Sequence, residues 1–397
     1  MRVLMLSWEH PPHTVGGLGR HVAELVPALQ QEGIELHVVT PRRAGGDPVE
    51  ETEGLTVHRV DPPKAPMPDF YTGAWQTNIR LEEVGASLCR DMGIQLIHNH
   101  DWLTAFSAIA LKRNFEIPLL TTIHATERGR ARGPLVRDQQ RAIHSVEWWL
   151  TYEAWRIICT SRFMAHEIQD YFQAPPDKID VIPNGVRPSR FARWEGVDLS
   201  RFRSMYALPE EQIVFYVGRI VHEKGLHVLI EAVPGVLAEN PNAKFVIAGT
   251  GDLLGALRSR AWELGVGDKV LFTGFISDDD RDRLYKVASC AVFPSLYEPF
   301  GIVALEGMAA KVPVVVSEVG GLQEVVRHGE TGITVYPDNV ESLAWGINHT
   351  LSRPDWALRR AQNAYTAVVE DYNWHRIAQQ TIEVYEQIIA ERAQSDW

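Results

Sequence analysis

The stretch IVFYVGRIVHEKGLHVLIEAVPGVLAENPNAKFVIAG, residues 213–249, decides the fold. It begins as an apolar strand, IVFYVGR (213–219), and turns through Glu223-Lys224-Gly225. A helix follows over Gly225–Leu237, and the strand KFVIAG (244–249) ends the unit. Downstream the same grammar continues with KVLFTG (269–274), CAVFPS (290–295), a helix from Gly301, VPVVVS (312–317) and GITVY (332–336). Upstream, RVLMLS (2–7) is a continuous apolar run of the kind buried on both faces of a parallel sheet. It leads through VGGLG (15–19) into a helix over His21–Gln31. LHVVT (36–40), LIHNH (96–100), LLTTIH (119–124) and IICTS (157–161) supply further strands. Alternation of this kind predicts an α/β protein of two doubly wound parallel sheets, one per half, with helices on both faces.

Residues 182–212 carry Pro, Gly and Arg but no sustained period, which puts the boundary between the halves near 185–212. The chain from Pro354 to Trp397 is helical by pattern, with a bend expected at Tyr372-Asn373-Trp374. The proline-rich segment 41–73 reads as a surface excursion.

Composition narrows the function classes. Acidic residues outnumber basic ones by 51 to 39, a formal charge of −12, which argues against a nucleic-acid or anionic-membrane partner, since either needs a basic face. No uncharged apolar run reaches the roughly 18 residues of a membrane span. Cys89, Cys159 and Cys290 are odd in number and far apart, so a disulfide framework is not expected and a reducing cytosol is. The first strand meets Glu9 and two prolines before a signal-peptide core forms. The expectation is a cytoplasmic protein.

In open parallel sheets ligands sit beyond the carboxyl ends of strands, so the loops there carry the chemistry. Gly16-Gly17-Leu18-Gly19 precedes a helix, where amides and the dipole favour a phosphate. It is not GxGxxG and lies too far past the strand for a dinucleotide fingerprint; the alternative is a flexible strand-to-helix turn. His98-Asn99-His100-Asp101 offers a His-x-His-Asp cluster, but no third ligand pair is near in sequence and no metal set is assigned. His124, ending the next strand, is a core histidine or a site residue. Arginines 128, 130, 132, 137 and 141 form either a solvated helix face or guanidinium forks for a phosphate-bearing ligand. Arg219 and Lys224 converge where a helix begins, as a diphosphate requires, with a salt bridge to Glu223 as the alternative for Lys224. Gly249 and Gly251 repeat the small-residue theme after the next strand.

The richest stretch is EPFGIVALE, residues 298–306. Pro299 suits a first helical turn, placing Glu298 at the cap and the Gly301 amide open at the helix start. Glu306 would then lie roughly 12 Å further along the helix. Paired acid–base work on one glycosidic bond needs about 5–9.5 Å, so these carboxylates suit hydroxyls at two ends of a long ligand instead. A nucleotide-sugar, with hexose, diphosphate and ribose in line, has that layout.

Taken in order, VGGLG, NHDW, TIHA, IPNGV, VGRIVHEKG and EPFGIVALE resemble the retaining glycosyltransferases of GT-B fold, over essentially the whole chain. The resemblance is to the glycosyltransferase family 4-like clan that includes glycogen and starch synthases and sucrose-phosphate synthase. It implies two Rossmann-like domains facing across a cleft: an acceptor domain, 1–190, rejoined by a C-terminal helix at about 375–397, and a nucleotide-sugar donor domain, 191–374. It implies that the Gly17 amide meets the donor phosphate and that His124 lines the hexose. Arg219 and Lys224 would neutralise the leaving diphosphate, Glu298 would bind hexose hydroxyls beside the Phe300 and Gly301 amides, and Glu306 would bind the ribose. Asp101 would belong to the acceptor side. The donor would be ADP-glucose or UDP-glucose, with no cofactor and no metal required. NHDW and TIHA resemble the glycogen-synthase branch, which implies an α-glucan or maltooligosaccharide acceptor. The cluster at Arg128, Arg130 and Arg132 keeps a small sugar phosphate as the alternative. A nucleotide-sugar epimerase, a phosphorylase and a non-catalytic sugar-binding protein are the competing classes.

Overall fold

The computed structural model describes all 397 residues, Met1–Trp397. Contacts divide them into two units, Met1–Asn184 with Trp374–Trp397, and Gly185–Asn373. The division falls at Asn184/Gly185, ahead of the 190/191 boundary read from sequence.

Unit 1 is built on an eight-stranded sheet. Its strands are β1 (Arg2–Leu6), β2 (Glu35–Pro41), β3 (Val49–Thr52), β4 (Leu55–Val60), β5 (Leu96–His100), β6 (Leu119–Ile123), β7 (Arg156–Cys159) and β8 (Ile179–Val181). Their order is β3-β4-β2-β1-β5-β6-β7-β8, parallel throughout except for the β3–β4 hairpin. The apolar run of β1 explains its central place: Val3, Leu4, Met5 and Leu6 are fully buried, as a strand covered by helices on both faces must be. The expected surface excursion at 41–73 is corrected here. Residues 49–60 form a hairpin whose second strand pairs in parallel with β2, because Val57 and Val60 are apolar enough to bury.

Unit 2 carries a six-stranded, all-parallel sheet. Its strands are β9 (Gln212–Val217), β10 (Ala243–Ala248), β11 (Val270–Gly274), β12 (Cys290–Phe293), β13 (Val314–Ser317) and β14 (Ile333–Val335), in the order β11-β10-β9-β12-β13-β14. Phe215, Phe245, Phe293 and Tyr285 fill its core. In both sheets the first strand of the unit sits inside, with the chain running outward to either side. Those reversals, β1/β5 and β9/β12, are where open α/β sheets bind ligands.

The bend expected at Tyr372-Asn373-Trp374 separates helix Pro354–Asp371 from helix Trp374–Ala393. The last helix belongs to unit 1. It packs on helix Gly17–Gln31 and buries Trp374, Ile377, Val384, Tyr385 and Ile388 in the core around Val3 and Met5. It also places the Tyr385 hydroxyl 2.7 Å from Nδ1 of His98, while Nε2 of His98 lies 2.8 Å from Thr122 Oγ1. No helix is long and apolar enough to cross a membrane.

Burial holds the His98 imidazole well below its ordinary pKa. A base depressed in the folded state binds its proton only on unfolding, so its stabilisation is complete above about pH 6.5 and fades as pH falls below that. The melting temperature is expected to drop between about pH 7.5 and about pH 5. His98 is one of several buried histidines held this way, so His98→Gln should make that dependence shallower without abolishing it. An unchanged pH slope in the variant would remove His98 as a contributor.

Candidate functional site

In unit 2 the residues of interest gather on the loops that follow β9, β10 and β12. Arg219 follows β9, and its guanidinium donates to Glu223 Oε1 at 3.0 Å. Lys224 was expected either at a diphosphate or paired with Glu223. Its ammonium instead donates to Glu298 Oε2 at 2.6 Å, with both side chains largely buried. Ser295 donates to the same carboxylate oxygen at 3.3 Å. The outcome is two neighbouring ion pairs, Arg219–Glu223 and Lys224–Glu298, at the carboxyl ends of adjacent strands. Ser295 was not singled out from sequence; its position just past the β12 strand is the signal that could have found it.

The loop after β10 is shaped by close backbone approach. A Cβ on Gly249 would stand 1.8 Å from the Gly218 carbonyl oxygen, and one on Gly251 would stand 2.1 Å from that of Ile220. These glycines therefore have a packing reason of their own, bringing the β10 loop against the β9 loop that carries Arg219.

Glu298 is not a helix cap, and Pro299 is not in a first turn. The helix runs Ile302–Ala309, with Gly301 as its N-cap at φ 107°. The left-handed φ at Gly301 delays the helix, so Glu298 and Phe300 lie on the loop before it. The straight-helix spacing of the two glutamates therefore does not apply. Glu306 is 1% exposed, inside a charge network. Arg190 donates to its Oε1 at 3.2 Å, Tyr285 to its Oε2 at 3.5 Å, and the Arg281 guanidinium is 3.9 Å away. Asp282 joins the network through a bidentate contact from Arg190.

Unit 1 gathers its residues at the ends of β1, β5 and β6. The glycine loop is tighter than a flexible turn. Helix Gly17–Gln31 begins at Gly17, with Gly16 as N-cap, and Glu9 Oε2 accepts from the amides of Val15 at 2.7 Å and Gly16 at 3.1 Å. Asp101, expected on the acceptor side, is 4% exposed and turns its carboxylate inward. Its Oδ1 accepts from the His124 amide at 2.7 Å, so it positions the loop after β6 and is a positioning residue. Burial lifts its carboxyl to about 6, against the pull of Arg130.

Four imidazoles meet here. His98 and His100 lie on one face of β5 with ring centres 4.4 Å apart. His100 Nδ1 lies 3.1 Å from His124 Nε2. His21, from the helix behind the glycine loop, sits 4.7 Å from the His124 ring centre and 2.6 Å from Asn184 Oδ1 through its Nδ1. Burial lowers all four, His124 to about 3. His21 escaped sequence reading because it looked like part of an ordinary amphipathic helix.

The arginines of residues 128–132 do not converge. Arg128 stacks over the Tyr171 ring at 4.8 Å. Arg130 turns toward Glu127, 3.8 Å away, and lowers both the Asp101 and the Glu147 carboxyls. Arg132 caps the short helix Glu127–Ala131 in left-handed geometry. Glu147 was also missed: burial pushes it to about 8, and its Oε1 accepts from the Glu127 amide at 2.8 Å.

Comparison with known proteins places the chain. Residues 15–190 match Glycosyltransferase Family 4, and residues 201–367 match Glycosyl transferases group 1. An uncharacterized glycosyltransferase of Methanocaldococcus jannaschii is 42% identical over 97% of this chain and 98% of its own length. Glycogen synthase of Mycobacterium tuberculosis is 36% identical over 97% of this chain and 94% of its own. Sucrose-phosphate synthase from Thermosynechococcus elongatus superposes with a TM-score of 0.82 at 26% identity, covering 98% of this chain and 99% of that one. With matching domains on both units and relatives this similar along nearly the full length, the chain belongs to the GT-B glycosyltransferases of the family 4-like clan, of glycogen synthase and sucrose-phosphate synthase type.

Proposed function

We propose that this chain transfers glucose, with retention at the anomeric carbon, from ADP-glucose or UDP-glucose to the end of an α-glucan or maltooligosaccharide. The observation that carries the reading is the pair of ion contacts at the carboxyl ends of β9 and β12, Arg219–Glu223 and Lys224–Glu298. Two cations stand ready for a departing diphosphate, and the carboxylate beside one of them can accept from hexose hydroxyls. The 36% identity to a glycogen synthase supports glucan over sugar phosphate as acceptor, as does the dispersal of Arg128, Arg130 and Arg132.

In the transfer, the bond from the anomeric carbon to the diphosphate oxygen breaks as an acceptor hydroxyl attacks the same face. The hydroxyl proton passes to the departing phosphate oxygen, and Arg219 and Lys224 stabilise the charge that develops there. Glu298 would hold the hexose as it flattens. On unit 1 the reading assigns His124 to the hexose and the Gly17 amide to the donor phosphate, as the family resemblance implies. Donor hydrolysis or transfer, followed as nucleotide release from ADP-glucose and UDP-glucose with and without maltooligosaccharide, tests the whole reading. Acceptor-stimulated release of nucleoside diphosphate is expected. Binding of the donor with no release would point to a non-catalytic sugar-binding protein, and conversion of the sugar with no release to an epimerase.

The two glutamates have different jobs. Interactions that tighten in the transition state appear in kcat, whereas uniform binding appears in KM. Glu298→Gln should therefore cost kcat more than Glu306→Gln does. Glu306→Gln removes a buried charge from the Arg190–Arg281 network, so a lower Tm is expected on either reading of that residue. Donor KM separates the readings. A charge-assisted hydrogen bond to ribose is worth roughly 1.5–3 kcal/mol, so a rise on the order of ten- to a hundred-fold is expected. An unchanged KM would confine Glu306 to the network.

Neutralisation by arginine and lysine leaves no task for a divalent ion. Chelator-treated enzyme should keep most of its activity; loss of activity restored by magnesium or manganese would overturn the phosphate-clamp account. The acceptor is tested with Arg128→Ala and Arg132→Ala together, sparing Arg130 because it faces the Asp101 and Glu147 carboxyls. A glucan-using enzyme should be nearly indifferent in acceptor KM. A marked rise with fructose 6-phosphate as acceptor would favour the sugar-phosphate alternative.

A further inference from the structure

We propose that His21, His100 and His124 form a binding site for a borderline transition-metal ion, with zinc as its natural occupant. Each of the three offers a ring nitrogen, and those nitrogens lie within 4.8 Å of one another. They come from separate elements: the helix behind the glycine loop, the end of β5 and the loop after β6. The site is therefore built by the fold and is invisible to any local spacing rule.

Two observations point to a ligand. The Nε2 atoms of His21 and His100 are buried without a hydrogen-bond partner. His21 is 4% exposed and His100 is fully buried. His100 meets His124 through its Nδ1, so its own Nε2 lies on the other side of the ring. The Nε2 of His21, whose Nδ1 is taken by Asn184, is the orphaned nitrogen left for a ligand, and a buried nitrogen without a partner asks for a group that accepts its lone pair. For one pair of the three the spacing fits directly, and His21 completes the set by a short approach. Zinc–nitrogen bonds of 2.0–2.1 Å in tetrahedral geometry separate two ligand nitrogens by about 3.3 Å. His100 Nδ1 and His124 Nε2 are 3.1 Å apart.

The surroundings are those of a metal centre. Asn184 Oδ1 accepts from Nδ1 of His21 at 2.6 Å, which fixes the tautomer and leaves the Nε2 lone pair for a ligand. His98 stays outside the set because Tyr385 and Thr122 satisfy both its nitrogens. Three imidazoles leave a fourth position open, the pattern of a site that admits a further ligand. Such an ion is not a cofactor for transfer. It would occupy His124 and compete with its use, so the same centre makes the enzyme zinc-inhibited while metal-independent. The inhibitory part rests on the function proposed above; the binding part does not.

The test is a zinc titration of the metal-free full-length protein, in competition with a chromophoric chelator. One zinc per chain is expected. His100→Ala and His21→Asn should each weaken that binding at least ten-fold, and Asn184→Ala should weaken it about 10- to 100-fold by releasing the His21 tautomer. His328→Ala with His349→Ala, which removes two histidines that flank Trp345 in unit 2, should leave it intact. Circular dichroism and Tm identify any variant that fails to fold, and the remaining variants then decide. Absence of stoichiometric zinc in the unaltered protein, equal binding in folded His100→Ala and His21→Asn, or loss only in the His328/His349 variant would overturn the site. Inhibition of nucleotide release by zinc, reversed by chelator, is the separate readout. Stoichiometric zinc without inhibition would leave the metal site standing and count against the role given to His124.

Discussion

Everything at the carboxyl edge of the unit 2 sheet depends on one stitch between two loops. The Glu223 carbonyl accepts from the amides of Leu296 at 2.8 Å and Tyr297 at 3.3 Å, joining the loop after β9 to the loop after β12. Gly225 makes the approach feasible, since a Cβ there would lie 1.9 Å from the Pro294 carbonyl oxygen. Because the two loops are tied at backbone level, Lys224 and Glu298, 74 residues apart in sequence, meet at hydrogen-bond distance. A side chain at Gly225 would separate them. The charged groups of the site are thus held by main-chain contacts rather than by their mutual attraction.

The same logic governs unit 1 with different chemistry. There the stitch is a carboxylate. Asp101 occupies a left-handed backbone position at φ 57° directly after β5 and accepts from the first amide beyond β6. Its burial raises its pKa to about 6, so the bond to the His124 amide is held by a group close to titrating near neutrality. Glu9 performs a comparable service for the glycine loop, accepting from the Val15 and Gly16 amides just ahead of Gly17, whose amide is the one the resemblance gives to a phosphate.

The order of strands and helices was legible because central parallel strands are continuous apolar runs, and such runs have few alternative structures. Most strands lie within two residues of where periodicity put them. The hairpin at 49–60 was hidden because VEET and LTVHRV are half polar, as edge strands are, and proline-rich flanks imitate a loop. Among candidate site residues, the positions of those on loops after strands were readable from topology: Arg219, Lys224, Glu298 and His124. What escaped was contributed by faces of helices. His21, Glu147 and Tyr385 each sit in an amphipathic pattern where a polar residue on the buried side looks like noise. Partner choice escaped too. Lys224 has Glu223 beside it in sequence, yet the fold gives Glu223 to Arg219 and sends Lys224 to Glu298. Local spacing carries no information about which of two adjacent charges faces which neighbour.

The closing helix, Trp374–Ala393, has a consequence for how the molecule is made. Unit 1 begins at the first residue, but its core and the partner of His98 arrive only with Tyr385, after all of unit 2 has been synthesised. During translation the first 184 residues present Val3, Met5, Leu25 and Leu29 around a place that the last helix will fill. Unit 2, whose residues are continuous from Gly185 to Asn373, has no such dependence. The second-born half is therefore the first able to finish folding, and the amino-terminal half is complete only once residues 374–397 are available to it. A nascent chain that has presented residues up to Asn373 but not the last helix would carry a finished unit 2 and an unfinished unit 1, exposed to chaperones and proteases on one half only.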